Sequence, residues 1–192
     1  MIGETINAPY AEKFTVSNVF SSDMVVQRGE HIRVWGFADA SENGHKVSGE
    51  FMGMFAEALI ENGAWTLTFG ARLNACAEQG NSMRIYTDRT AFVFENVLVG
   101  DVFMVIGQSN VAYSMAAHRA AVQEAERGGV GYDVPSTPIR LHYNSLMQET
   151  GVTRGTEEVC AELRNRETWK RADAAAVQDF SALGYLFAAE YA

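Results

Sequence analysis

Asn96-Val97-Leu98-Val99-Gly100-Asp101-Val102-Phe103-Met104-Val105-Ile106-Gly107-Gln108-Ser109-Asn110 is the stretch on which the reading of this chain turns. The apolar run from Val102 to Ile106, closed by Gly107, has the pattern of a buried parallel strand meeting a tight turn. A helical pattern follows, so Ser109 stands where a strand hands over to a helix N-terminus. That placement suits a nucleophile. The hydroxyl is lifted clear of the sheet edge, and the unbonded N–H groups and positive dipole end of the helix face any oxyanion formed there. Ser and Asn are also favoured N-caps, and the four residues Gly107 to Asn110 taken alone favour a plain cap; the flanking sequence turns the reading toward a nucleophile.

Downstream the texture is α/β. A helix is predicted near 110–127, with Val111, Met115, His118, Val122 and Ala125 along one side and Gly128-Gly129 as its stop. His118 falls in that apolar stripe and reads as structural. After Pro135 and Pro138, the alternation Ile139-Arg140-Leu141-His142-Tyr143 predicts a second strand. Residues 144–167 are polar and irregular, either a surface loop or an insertion bordering a site. A last helix is predicted from about Asp179, with Leu183, Phe187 and Tyr191 at intervals of four.

Upstream, residues 14–97 read as all-β. His31-Ile32-Arg33-Val34-Trp35 alternates, and Trp65, Leu67 and Phe69 share one face. Asn62-Gly63 is a type I′ hairpin signal, because both residues tolerate positive φ. The run Phe55 to Ile60 is the expected partner of the strand that follows. Residues 83–87 and 91–94 form a second candidate pair around Asp88-Arg89. Short strands at this spacing predict a β-sandwich or jelly roll. Trp35, Trp65 and the phenylalanines are read as its core, with an aromatic sugar-binding face as the alternative. The expected organisation is a β-sandwich domain over 1–98, then the first part of an α/β domain over 99–192.

The 192 residues suffice for one large or two small domains. Apolar content of 47% and charged content of 20% are those of an ordinary globular chain. A formal net charge of −9 disfavours nucleic acid and anionic membrane surfaces as partners. No apolar run reaches membrane-spanning length. The segment from Met1 to Thr15 lacks a basic start followed by an apolar core, so a cytoplasmic protein is expected, with a secreted origin left open. Cys76 and Cys160 show no metal-site spacing and are expected as reduced thiols.

The stretch from Asn96 to Asn110 resembles the nucleophile segment of the sialate O-acetylesterases, carbohydrate esterases of the SGNH-hydrolase type. Asn18-Val19-Phe20-Ser21-Ser22-Asp23-Met24-Val25-Val26-Gln27-Arg28 resembles their opening segment, and Val34-Trp35-Gly36-Phe37-Ala38-Asp39 the next. Asn62-Gly63-Ala64-Trp65 resembles their central hairpin. Ile139-Arg140-Leu141, Trp169 and Phe180 to Phe187 fit the same order, so the resemblance covers nearly all of residues 14–191. The family usually follows its serine motif with Met-Glu-Trp-Pro. Here Val111-Ala112-Tyr113-Ser114 stands in that place: an aromatic is kept and the acidic residue is gone, which bears on acyl or sugar preference.

The resemblance implies an O-acetylesterase acting on an acetylated sugar or sialic acid. Ser109 would attack the acetyl carbonyl, its backbone N–H would donate to the oxyanion, and Gly107, Gln108 and Asn110 would flank the site. Neither metal nor other cofactor is expected. An SGNH enzyme also needs a glycine, an asparagine and a histidine three residues after an aspartate, and only the serine block is matched. None of His31, His45, His118 and His142 has aspartate three residues before it. In the family the other blocks follow the point where this sequence stops. The general base is therefore expected outside this chain, on a second polypeptide or in a missing part, and the α/β sheet is expected to be incomplete. A non-catalytic carbohydrate-binding module and a catalytically incomplete fragment are the alternatives.

Overall fold

A computed structural model describes residues 5–6, 13–126, 138–143 and 168–192. The described chain is rich in sheet and divides into two compact units. The first holds the described residues up to Val102, with Thr168 and Trp169; the second holds residues 103–126, 138–143 and 170–192.

The first unit contains nine strands: β1 (Thr5–Ile6), β2 (Phe14–Val16), β3 (Val25–Gln27), β4 (His31–Ala38), β5 (Lys46–Phe51), β6 (Met54–Leu59), β7 (Ala64–Arg72), β8 (Cys76–Tyr86) and β9 (Ala91–Gly100). Six of them form one sheet in the order β1-β9-β8-β5-β6, with β3 also paired to β9; β2-β4-β7 form a three-stranded sheet. The pairs β1–β9 and β3–β9 are parallel, and the other ladders of the two sheets are antiparallel. Inward residues of both sheets meet in one core. Val34, Leu67 and Phe69 come from the small sheet, and Val47, Phe51, Ile85, Phe92 and Phe94 from the large one.

Two local features set how that core closes. Asn62 and Gly63 both have positive φ, 53° and 73°. Glu61 and Ala64 exchange both backbone hydrogen bonds around them, as a two-residue type I′ hairpin requires. The expected partnering beyond that turn differs. β6 does not ladder with β7: it pairs with β5 through the Met52-Gly53 turn, while β7 crosses to β4 in the other sheet. The Glu61–Ala64 bridge is where the chain changes sheets. The second feature is Gly36. A Cβ there would lie 1.9 Å from the Thr15 carbonyl oxygen and 2.6 Å from Trp65 Cζ2. The vacancy beside Gly36 is filled by the Trp65 indole, which stacks on Phe14 at 5.1 Å and donates from Nε1 to the Thr15 carbonyl at 3.2 Å.

The reading of the aromatics as core holds for Trp65 and most of the phenylalanines and fails for Phe55, on β6, and for two residues of β4. Trp35 is 41% exposed and Phe37 50% exposed, because β4 buries Ile32, Val34 and Gly36 and turns His31, Arg33, Trp35 and Phe37 outward. The pair around Asp88-Arg89 forms as expected, with Ile85 opposite Phe92 and Tyr86 opposite Ala91. Cys76 is a free thiol; Cys160 lies outside the described residues.

In the second unit, α1 (Ser109–Ala112) and α2 (Met115–Glu126) replace the single helix expected near 110–127. The break falls at Tyr113-Ser114, where Tyr113 is extended and the Ser114 hydroxyl accepts from Ala117 N–H at 3.3 Å to start α2. Gly128-Gly129, the expected stop, lies outside the described residues, as does the loop 144–167. The expected strand near 139–143 is limited to β10 (Arg140–Leu141), which pairs antiparallel with β11 (Lys170–Arg171). A helix not expected from the sequence, α3 (Ala174–Asp179), is capped by the Asp173 carboxylate, and the expected C-terminal helix follows as α4 (Ala182–Tyr191), capped by Ser181 Oγ. Met115, Leu141, Val177, Ala182 and Tyr185 form a small core among these elements.

The run Val102 to Ile106 differs most from its reading. It carries no strand, and its residues are exposed, Met104 to 83% and Ile106 to 80%. A strand exists only through its ladder, and among the described residues no segment pairs with this run. Described helices are present beside it, but not the expected parallel sheet.

Candidate functional site

The approach to Ser109 begins at a fixed point. At the end of β9 the Asp101 carboxylate takes two hydrogen bonds from Arg28, Nε to Oδ1 at 2.8 Å and Nη2 to Oδ2 at 2.8 Å. Gln27 Oε1 accepts from Val102 N–H at 2.8 Å, and the Gly100 carbonyl accepts from Arg28 N–H at 2.8 Å. This forked pair ties the end of β3 to the end of β9 and gives Asp101 a structural role.

Ser109 is the first residue of α1 and is exposed, as are Gly107, Gln108 and Asn110. Gln108 is the N-cap residue. Its carbonyl accepts from Val111 N–H at 3.0 Å and Ala112 N–H at 2.9 Å, and its side chain makes no capping bond. The N–H groups of Ser109 and Asn110 have no partner among the described residues. They are the orphan donors that every helix start leaves. Space is tight at Gly107: a Cβ there would stand 2.5 Å from Val111 Cγ2. A side chain at 107 would therefore have to displace the Val111 side chain on the first turn of the helix. The arrangement presents an accessible hydroxyl beside two unbonded amide donors, the minimum that acyl transfer asks of its nucleophile segment.

The rest of a catalytic set is not assembled around it. Ser109 Oγ has no hydrogen-bond partner among the described residues. His31 Nδ1 lies 3.3 Å from the Phe69 carbonyl and His45 Nδ1 3.1 Å from the Glu42 carbonyl, both within the β unit. His118 faces the Tyr113 ring edge-on at 6.3 Å, within α2's own neighbourhood. His142 follows β10. None donates to or accepts from Ser109 among the described residues.

The second unit also carries an outward apolar surface. Phe103 meets Phe187 at 5.0 Å and Tyr191 at 4.8 Å, and the three rings remain about half exposed. Leu183 lies on the same helix and is 55% exposed. The stripe at intervals of four is thus real, and it faces away from the small core formed by Met115 and Tyr185. Among the described residues no helix is long and apolar enough to cross a membrane.

No protein-family model matches this chain, and no curated protein matches it. Among solved structures, it is similar to a carbohydrate acetylesterase from Xanthomonas citri, at 23% identity and a TM-score of 0.61. The match covers 92% of this chain and 37% of that one, so the chain spans little more than a third of that structure's length. What the two share at this identity is the fold.

Proposed function

We propose that this chain contributes the nucleophile segment of a carbohydrate O-acetylesterase of the SGNH type, similar to the sialate O-acetylesterases, with Ser109 as the attacking residue. The observation that carries the reading is the exposed Ser109 hydroxyl at the first position of α1, beside two unbonded amides. The likeness to a carbohydrate acetylesterase supports it. In this mechanism Ser109 Oγ attacks the acetyl carbonyl while a histidine takes its proton. The Ser109 N–H donates to the oxyanion, and removing one such donor typically costs about 3 kcal/mol of barrier. The proton then passes to the sugar oxygen as the C–O bond breaks, and water releases acetate from the acetyl-serine.

The histidine, the two further oxyanion donors and the strands flanking Val102 to Ile106 are supplied by polypeptide beyond the described residues, in our reading by a further chain or segment. The exposed rings of Phe103, Phe187 and Tyr191 support that reading, because a contiguous apolar surface of this kind is normally covered. No metal or other cofactor enters the reaction so written. We also keep a cytoplasmic location as part of the proposal.

The test is acetyl-ester hydrolysis by the complete protein, with all polypeptides that co-purify, against Ser109→Ala. Loss of about 10⁴-fold or more in kcat with unchanged thermal unfolding is expected. Turnover retained in the variant removes Ser109 from the mechanism.

A further inference from the structure

The outward face of the β2-β4-β7 sheet combines features that the Ser109 chemistry does not use. Alternation along β4 places His31, Arg33, Trp35 and Phe37 on one exposed face. The register sets Thr68 beside Arg33, Thr66 beside Trp35, and Thr15 and Ala64 on either side of Phe37. Arg72 lies opposite His31. Neighbouring outward positions on a strand are separated by about 7 Å, which brings both rings and Arg33 within the length of a short oligosaccharide. The Trp35 ring is held by the edge of Phe20, 4.6 Å away and tilted by 81°, so its orientation is fixed while 41% of the residue stays exposed. Phe37 stacks on no other ring among the described residues and is half exposed.

The charge on this face runs against the rest of the molecule. The chain as a whole carries a formal −9. The outward positions of the three strands include Arg33 and Arg72 and not one carboxylate. Neither Arg33 nor Arg72 enters an ion pair among the described residues. Exposed rings stack against the C–H faces of pyranose units, threonine hydroxyls exchange hydrogen bonds with sugar hydroxyls, and guanidinium groups fork onto carboxylates. We propose that this face is a binding platform for an acidic, carboxylate-bearing oligosaccharide, with Trp35 and Phe37 as stacking surfaces and Arg33 and Arg72 as the anion contacts. It is independent of the Ser109 assignment and lies wholly within the β unit.

Titration calorimetry of the full chain with hexagalacturonate, and with neutral xylohexaose as control, tests it. Saturable binding of hexagalacturonate is expected, weakened about tenfold by Phe37→Ala and also weakened by Arg33→Gln. Xylohexaose should bind more weakly and be indifferent to Arg33→Gln. Phe37 makes no ring contact in the core, so unchanged thermal unfolding of that variant should accompany the loss. Ser109→Ala should leave binding intact, which separates this platform from the esterase reading. Absence of hexagalacturonate binding, binding untouched by both variants, or equal affinity for the neutral sugar would each overturn the proposal.

Discussion

Gly36 shows how one missing side chain organises the β unit. The space beside it belongs to the Trp65 ring and the Thr15 carbonyl. Gly36→Ala should destabilise the chain by about 3 kcal/mol, the upper part of the range for overpacking, because backbone as well as a ring must move; denaturant unfolding measures it. At the end of β9, Asp101→Asn should cost far less, about 1 kcal/mol, since the Arg28 pair is partly exposed. The same comparison, made in high salt, should shrink that difference. Glu42 is a more buried case: its side chain is 10% exposed and takes two bonds from Arg89 Nη1, at 3.0 and 3.3 Å. Arg89→Ala removes the guanidinium from that carboxylate, leaving His45 Nδ1 at 3.6 Å as its remaining basic neighbour, and should cost about 2 kcal/mol, below the loss typical of fully buried pairs because Arg89 itself is more than half exposed. At this scale the sequence was informative where chemistry is local. Asn62-Gly63 announces its turn because positive φ is a property of those two residues. The outward turn of Trp35 and Phe37 was hidden, because alternation shows that Ile32, Val34 and Gly36 share a face but not which face is inside. That face is the buried one because Ile32 and Val34 pack into the shared core and the Trp65 ring, from another strand, fills the space beside Gly36.

Elements formed where their signals were internal and shifted where they depended on neighbours. The Ser109 helix start and the Asp88-Arg89 pair lie where their own residues put them. The helix near 110–127 is interrupted because Ser114 caps a new start, a signal present in the sequence but overridden in the reading by the apolar stripe that runs across it. Ser181 begins α4 in the same way, accepting from Gly184 N–H at 3.2 Å while buried. Ser181→Ala should lower stability by about 1 kcal/mol, read by thermal unfolding. A buried cap that could be removed without loss would mean that α4 is held by Tyr185 and Ala182 packing alone. The run from Val102 to Ile106 reads as a strand by composition, yet composition supplies no hydrogen-bond partner. β6 teaches the same point: adjacency in sequence predicted its pairing with β7, and the ladder with β5 won.

At the scale of the molecule, a sheet-rich unit with its own core precedes a smaller helical unit whose aromatic surface is turned outward. The chain alone is therefore expected to self-associate or to bind a hydrophobic dye, and Phe187→Lys with Tyr191→Lys should reduce both, as light scattering would show. A monodisperse chain that ignores the dye would remove the argument for a covering polypeptide. The central claim concerns Ser109, and active-site labelling addresses it most directly. The complete protein would be treated with a fluorophosphonate, digested, and the modified peptide sequenced by mass spectrometry. The expected adduct sits on Ser109 and disappears when an acetylated sugar is present in excess. Acetyl-ester turnover accompanied by labelling of a different serine, with Ser109 unmodified, would contradict the assignment.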